Sequence, residues 1–250
     1  MVDFLSRCWE LCIYQYLIDN GITINIPGQQ AGPDFDTSIG YVECVAVKRG
    51  EGPNAIPLLQ ASVLNSDGTW SGEMEMQPVP TGSAQLRISN GISEKIRKYQ
   101  GYVDQSIIDA SRPRIIALNW YADGSSLSAA SSVMNYHPVM RTLFAMGPTQ
   151  ITINSETGDA IDSIVTQQPV VPNANGTGID MVYFMKPITD DRDRIDGVIV
   201  SGKAPFVYSP DEFQSINNPF SNGFDIETIS IGEKVKALAH DKGVTISRLQ

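Results

Sequence analysis

Two carboxylates nine residues apart, Asp34 and Glu43, have the types and spacing best suited to chemistry in this chain. Asp34 lies in Gly32-Pro33-Asp34-Phe35. Glu43 lies in the run Tyr41-Val42-Glu43-Cys44-Val45-Ala46-Val47, a strand apolar on both faces apart from this one acid. The residues between, Thr37-Ser38-Ile39-Gly40, read as a turn. A hairpin centred there sets Phe35 opposite Val42 and Asp34 opposite Glu43. Like charges directly opposed destabilise a sheet, and a buried carboxylate without a partner costs more still. Something positive should sit between them, and a divalent metal is the simplest candidate. A metal held by two carboxylates beside a lysine suits phosphodiester hydrolysis. The metal lowers the pKa of a bound water, and the lysine orients the nucleophile, deprotonates it or neutralises the transition state.

Three further residues bear on that arrangement. Glu10 shares a helix face with Ile13 and Leu17, which makes it either an auxiliary ligand or an acid on the rim of a half-buried helix. Lys95 and Lys98 are the nearest candidate cations. Lys95 falls beside an apolar helical stripe and Lys98 further round, so each either reaches the carboxylates or snorkels at the stripe's edge. From Arg87 to Arg114 six basic residues stand against three acidic ones, a locally basic stretch suited to phosphates or to a solvated helix face. For Glu43 the competing explanation is a structural ion pair with an arginine.

The elements that must carry these residues follow from periodicity. Residues 3–19 read as a helix with a broad apolar surface, stopped by Asn20-Gly21. Residues 22–26 alternate like a short strand. The hairpin follows a Gly/Gln-rich loop at 27–32. Residues 48–82 form a long excursion without sustained period. Residues 84–106 are the clearest amphipathic helix, with Ile88, Ile92, Ile96, Tyr99, Val103 and Ile107 on one stripe. Arg114 to Trp120 reads as a buried central strand. Beyond residue 124 the expectations are a partly helical 125–146, strands at 150–154 and 163–167 around Thr157-Gly158-Asp159, short strands at 181–185 and 197–201, and a terminal helix at 233–240. The expected fold class is α/β (α+β), with a core at 1–125 and a strand- and loop-rich extension at 126–250 that packs on it or forms a small companion domain.

Bulk properties narrow the function classes. A formal net charge of −10 argues against a protein that coats nucleic acid by bulk electrostatics, though not against a local basic cleft. No apolar run is long enough to span a bilayer, and no secretory signal is legible, so a cytoplasmic location without membrane association is expected. Cys8, Cys12 and Cys44 form no disulfide framework. With only His137 and His240 to add, both far off in sequence, zinc is disfavoured.

The order helix, strand, strand, strand, helix, strand, with Pro33-Asp34, Glu43 on the next strand and Glu10 on the leading helix, resembles the PD-(D/E)XK nuclease superfamily. Its core is a mixed sheet with flanking helices in αβββαβ order. The family places a lysine two residues after the second acid; here that residue is Val45. Some branches carry the lysine on the following helix, where Lys95 and Lys98 lie. Trp9-Glu10-Leu11, Gly-Pro-Asp, Val-Glu-Cys-Val-Ala, Glu94-Lys95 before Tyr99 and Asn218-Pro219-Phe220 are similar to a bacterial branch of that superfamily. The resemblance implies a restriction-endonuclease-like core. It also implies Mg²⁺ or Mn²⁺ held by Asp34 and Glu43 with Glu10 as auxiliary ligand, Lys95 and Lys98 as catalytic cations, and nucleic acid, foremost DNA, as substrate. A homodimer is compatible with it. The alternative is a nuclease fold kept for binding or structure after its chemistry was lost. Asp190 to Gly197 resembles a calcium loop only loosely, lacking the glutamate that closes one.

Overall fold

The computed structural model describes residues 4–25, 31–56, 81–121, 138–185, 193–202 and 213–218, together with 63–64, 67, 70–71, 204, 208 and 221, and the backbone of 234–240 and 243–249. Residues 125–137 of the expected partly helical stretch, His137 among them, residues 190–192 of the calcium-like loop and Pro219-Phe220 lie outside the described residues.

A mixed sheet is sandwiched between helices. Its first helix, α1 (Phe4–Asp19), buries Trp9, Cys12, Ile13, Tyr16 and Leu17, a stripe at i, i+3/i+4 and i+7/i+8. The apolar surface is narrower than its composition suggests, because Phe4 and Leu11 point to solvent. Gly21, at φ 69°, ends the helix, and the Ile22 N–H turns back to the Leu17 carbonyl at 3.0 Å. Strand β1 (Ile24–Asn25) pairs antiparallel with β2 (Phe35–Thr37), which pairs antiparallel with β3 (Gly40–Ala46). Phe35 faces Val42 and Thr37 faces Gly40, the register the turn predicted. Thr37 Oγ1 donates to the Gly40 carbonyl at 2.7 Å inside that turn. Gly40 must be glycine: φ is 140°, and a Cβ would meet the Pro113 carbonyl oxygen at 2.4 Å.

The excursion after β3 contains a 3₁₀ turn (Gly52–Asn54) and the paired strands β4 (Val63–Leu64) and β5 (Trp70–Ser71). Helix α2 (Thr81–Asp104) then crosses the sheet face opposite α1, burying Ala84, Ile88, Ile92, Lys95 and Tyr99. Strand β6 (Arg114–Asn119) is buried throughout and runs parallel to β3. Alternation divides the two faces. Val42, Cys44, Ile115, Ala117 and Ile199 pack with α1, while Tyr41, Ile116, Leu118 and Val198 pack with α2.

The second half extends the same sheet. After a short buried helix α3 (Pro138–Leu143) come the hairpin β7 (Met146–Ile153) and β8 (Ala160–Gln167), then the small pair β9 (Val170–Pro172) and β10 (Gly178–Asp180). Strand β11 (Gly197–Ser201) inserts parallel beside β6, followed by β12 (Gln214–Asn217), β13 (Lys234–His240) and β14 (Gly243–Leu249). The eight strands lie in the order β1-β2-β3-β6-β11-β12-β13-β14. Two sequence expectations are overturned. Residues 234–240 form a strand rather than a terminal helix, because 243–249 pairs antiparallel along their whole length. Residues 181–185 form no strand; Met181 and Phe184 are buried from an irregular turn instead.

Candidate functional site

Glu43 sits at the middle of β3 on the face covered by α2 and has no exposed surface. Three donors from successive turns of α2 meet it. Lys95 Nζ lies 2.7 Å and Lys98 Nζ 3.3 Å from Oε2, and the Tyr102 hydroxyl donates to Oε1 at 3.1 Å. These three residues stand at i, i+3 and i+7 of one helix, so a single helical face supplies all three. Asp34, just before β2, accepts the Cys44 N–H at 2.7 Å through Oδ2, and the same oxygen lies 3.7 Å from Lys95 Nζ. The positive group expected between the carboxylates is therefore the Lys95 ammonium, with Asp34 a quarter exposed at the open side. Glu43 pairs with lysines, and no arginine is among these contacts.

Two features aim α2 at the strand. The buried Tyr99 hydroxyl lies 2.9 Å from the Tyr41 carbonyl and 2.7 Å from that of Ile115, sharing its proton between β3 and β6. From the far side, the Tyr183 hydroxyl meets Ser89 Oγ at 2.7 Å and Ser93 Oγ at 2.8 Å. Helix and strand come close at Gly91, where a Cβ would lie 3.1 Å from Val45 Cγ2. Val45 thus lies under the helix, and the lysine arrives one helical turn later, from α2.

The electrostatics follow from burial and pairing. Burial alone would lower the Lys95 pKa, but the Glu43 charge and hydrogen bond, with Asp34 behind them, outweigh it and hold the pKa above the ordinary lysine value. Lys95 is an ammonium at neutral pH. Burial, then the Glu43 charge, pushes the Tyr102 phenol up, so it remains a donor. Burial, then the Asp34 charge, raises Cys44 well above the usual thiol range, which makes it an inert core residue.

Glu10 is paired within its own helix. Its Oε2 is 2.6 Å from Arg7 Nη1 on the exposed side of α1, and Arg7 is held above its usual pKa by that hydrogen bond, by the Glu10 charge and, to a small extent, by Asp34. Among the described residues no three His, Cys, Asp or Glu side chains come together as a group able to hold a metal ion. Of the sequence-derived set, Asp34, Glu43, Lys95 and Lys98 converge, whereas Glu10 lies at the neighbouring rim with Arg7. Tyr102 was missed, although its position seven residues after Lys95 on an amphipathic helix was the signal for it. Asp196, from the calcium-like stretch, is fully buried. It accepts the Arg114 backbone N–H at 2.8 Å and Arg194 Nε at 2.9 Å, so it ties β6 to the segment leading into β11. Among the described residues no helix is long and apolar enough to cross a membrane. Comparison with family models, curated proteins and solved structures finds no match to this chain.

Proposed function

We propose that this protein is a metal-dependent nuclease with a restriction-endonuclease-like αβββαβ core, hydrolysing phosphodiester bonds in nucleic acid, with DNA the favoured substrate. The observation that carries the reading is the Lys95 ammonium, delivered by α2 onto both Asp34 and Glu43. Two carboxylates, one of them partly exposed, form a hard oxygen donor set of the kind Mg²⁺ uses alongside waters and substrate oxygens. The Asp34 contacts described above both fall on Oδ2, so Asp34 could offer its other oxygen to such an ion, and Glu43 could offer one as Lys98 withdraws. Asp34 and Glu43 would hold it, with Glu10 as a neighbouring reserve of negative charge. When bound, the ion makes a water more acidic and offsets charge on the phosphate.

The chain's own groups divide the remaining work. The Cys44 N–H fixes the Asp34 carboxylate, and Tyr102 fixes that of Glu43. Lys95, charged at neutral pH, offsets negative charge developing on the phosphate rather than abstracting a proton. Lys98, whose side chain is 42% exposed, is the cation of the pair able to withdraw from Glu43 as an ion enters. Incubating plasmid DNA with wild type and Asp34→Ala, in Mg²⁺ or Mn²⁺, tests the reading. Nicking by wild type and none by the variant is expected; no cleavage, or equal cleavage, defeats it. Lys95→Met should lower the rate by about 10²–10³-fold, as loss of a preorganised charge does.

One observation favours a second reading, a nuclease-type fold kept for binding or structure. Glu43 is wholly buried and already satisfied by three donors, as expected of a structural ion pair. Intact plasmid together with retained binding of a DNA duplex would select it.

A further inference from the structure

The charges of the site already cancel. Asp34 and Glu43 contribute two negative charges, and Lys95 and Lys98 two positive ones, linked by ion pairs of 2.7–3.7 Å from Lys95 to both acids and from Lys98 to Glu43. Glu10 and Arg7 cancel beside them, and Tyr102 is neutral. A divalent cation entering this cluster leaves an excess of two positive charges next to a side chain with no exposure to water. Such an excess is costly in a buried setting unless an anion enters with it or a resident cation leaves.

The two lysines are not equally able to leave. Lys95 is 8% exposed and hydrogen-bonded to Glu43 at 2.7 Å, while Lys98 is 42% exposed and 3.3 Å away. With Lys98 swung out, the cation-loaded site carries one excess positive charge, which a single phosphodiester matches.

Resting on the nuclease reading, we propose that the site takes a divalent cation and a phosphodiester as a coupled pair, binding neither tightly alone, with Lys98 as the counter-ion that yields. The resting protein is then a lysine-neutralised form that loads metal together with substrate. By linkage, the factor by which phosphodiester raises metal affinity equals the factor by which metal raises phosphodiester affinity.

The test is Mn²⁺ binding to the full chain, followed by electron paramagnetic resonance, with and without excess dimethyl phosphate, a phosphodiester lacking base and sugar. The expected result for wild type is an affinity about tenfold higher with dimethyl phosphate, within the usual range of such couplings. Lys98→Met should bind Mn²⁺ alone about tenfold more tightly than wild type. Absence of either gain overturns the coupling. If wild type binds Mn²⁺ equally well in both conditions and Asp34→Asn abolishes it, the coupling fails while the nuclease reading stands. If neither wild type nor Lys98→Met binds Mn²⁺ in either condition, both fail.

Discussion

Glu43 lies in a waterless position where α2 aims three donors at it, and those donors are unequal. Removing Lys95 leaves a buried carboxylate with a half-exposed lysine and a phenol. Lys95→Met should cost about 3–5 kcal/mol, the usual penalty for breaking a buried pair. Lys98→Met should cost no more than about 1 kcal/mol, as for an exposed pair. Urea unfolding distinguishes the two, and equal costs would contradict the geometry. Tyr99 adds a pH dependence. Burial, and after it the Glu43 charge, raises its phenol well above the ordinary value of 10.0. The unfolded chain therefore releases this proton first, so Tyr99 lends full stability below about pH 10 and loses it as pH climbs beyond. The urea midpoint should fall between pH 10 and 11, and Tyr99→Phe should flatten that fall. At this scale the acids were legible because a lone glutamate in an apolar strand demands an explanation. Lys95 was legible from its place beside the stripe. What sequence could not reveal is that the lysine itself fills the gap between the carboxylates: an ammonium and a metal answer the same electrostatic demand, and only side-chain reach separates them.

The contact between α2 and β3 decides from which element the lysine can come. A Gly91→Ala methyl would press on Val45 at 3.1 Å. Gly91→Ala alone should be neutral or destabilise by up to about 2 kcal/mol, as overpacking offsets the gain in helix propensity. In a Val45→Ala background the same change should stabilise by about 1 kcal/mol. Thermal melts of the four proteins measure this cycle, and an unchanged sign would show that the helix does not rest on Val45. The hairpin and both long helices were readable from period and turn chemistry, since a four-residue turn fixes register and a long apolar stripe fixes a helix. Residues 234–240 were not. Lys-Val-Lys-Ala-Leu-Ala-His is rich in helix formers, and pairing with a partner strand overrode that propensity. Nor was the 181–185 turn, whose apolar residues are buried singly rather than in alternation.

One sheet joins residues from both halves, while β7 and β8 form a separate two-stranded sheet that reaches the core through Met146 and Val165. Ile151, Ile153, Ile161 and Ile164 on that hairpin are each more than half exposed. Ile151→Ser should therefore change stability by no more than about 0.5 kcal/mol, against about 2–5 kcal/mol for the fully buried Ile92→Ala. Chemical denaturation compares them directly, and a large loss from Ile151→Ser would mean that the hairpin is covered. The sheet has a consequence in time as well. Strand β6, buried on both faces, takes its second neighbour from residues 197–201, made some eighty residues later. At roughly 5–20 residues per second, the nascent chain carries an apolar, unpaired strand edge for about 4–16 seconds. For that interval the growing chain is a template for mispairing, and how fast the ribosome moves from Asn119 to Ser201 decides how much of the protein reaches its native sheet.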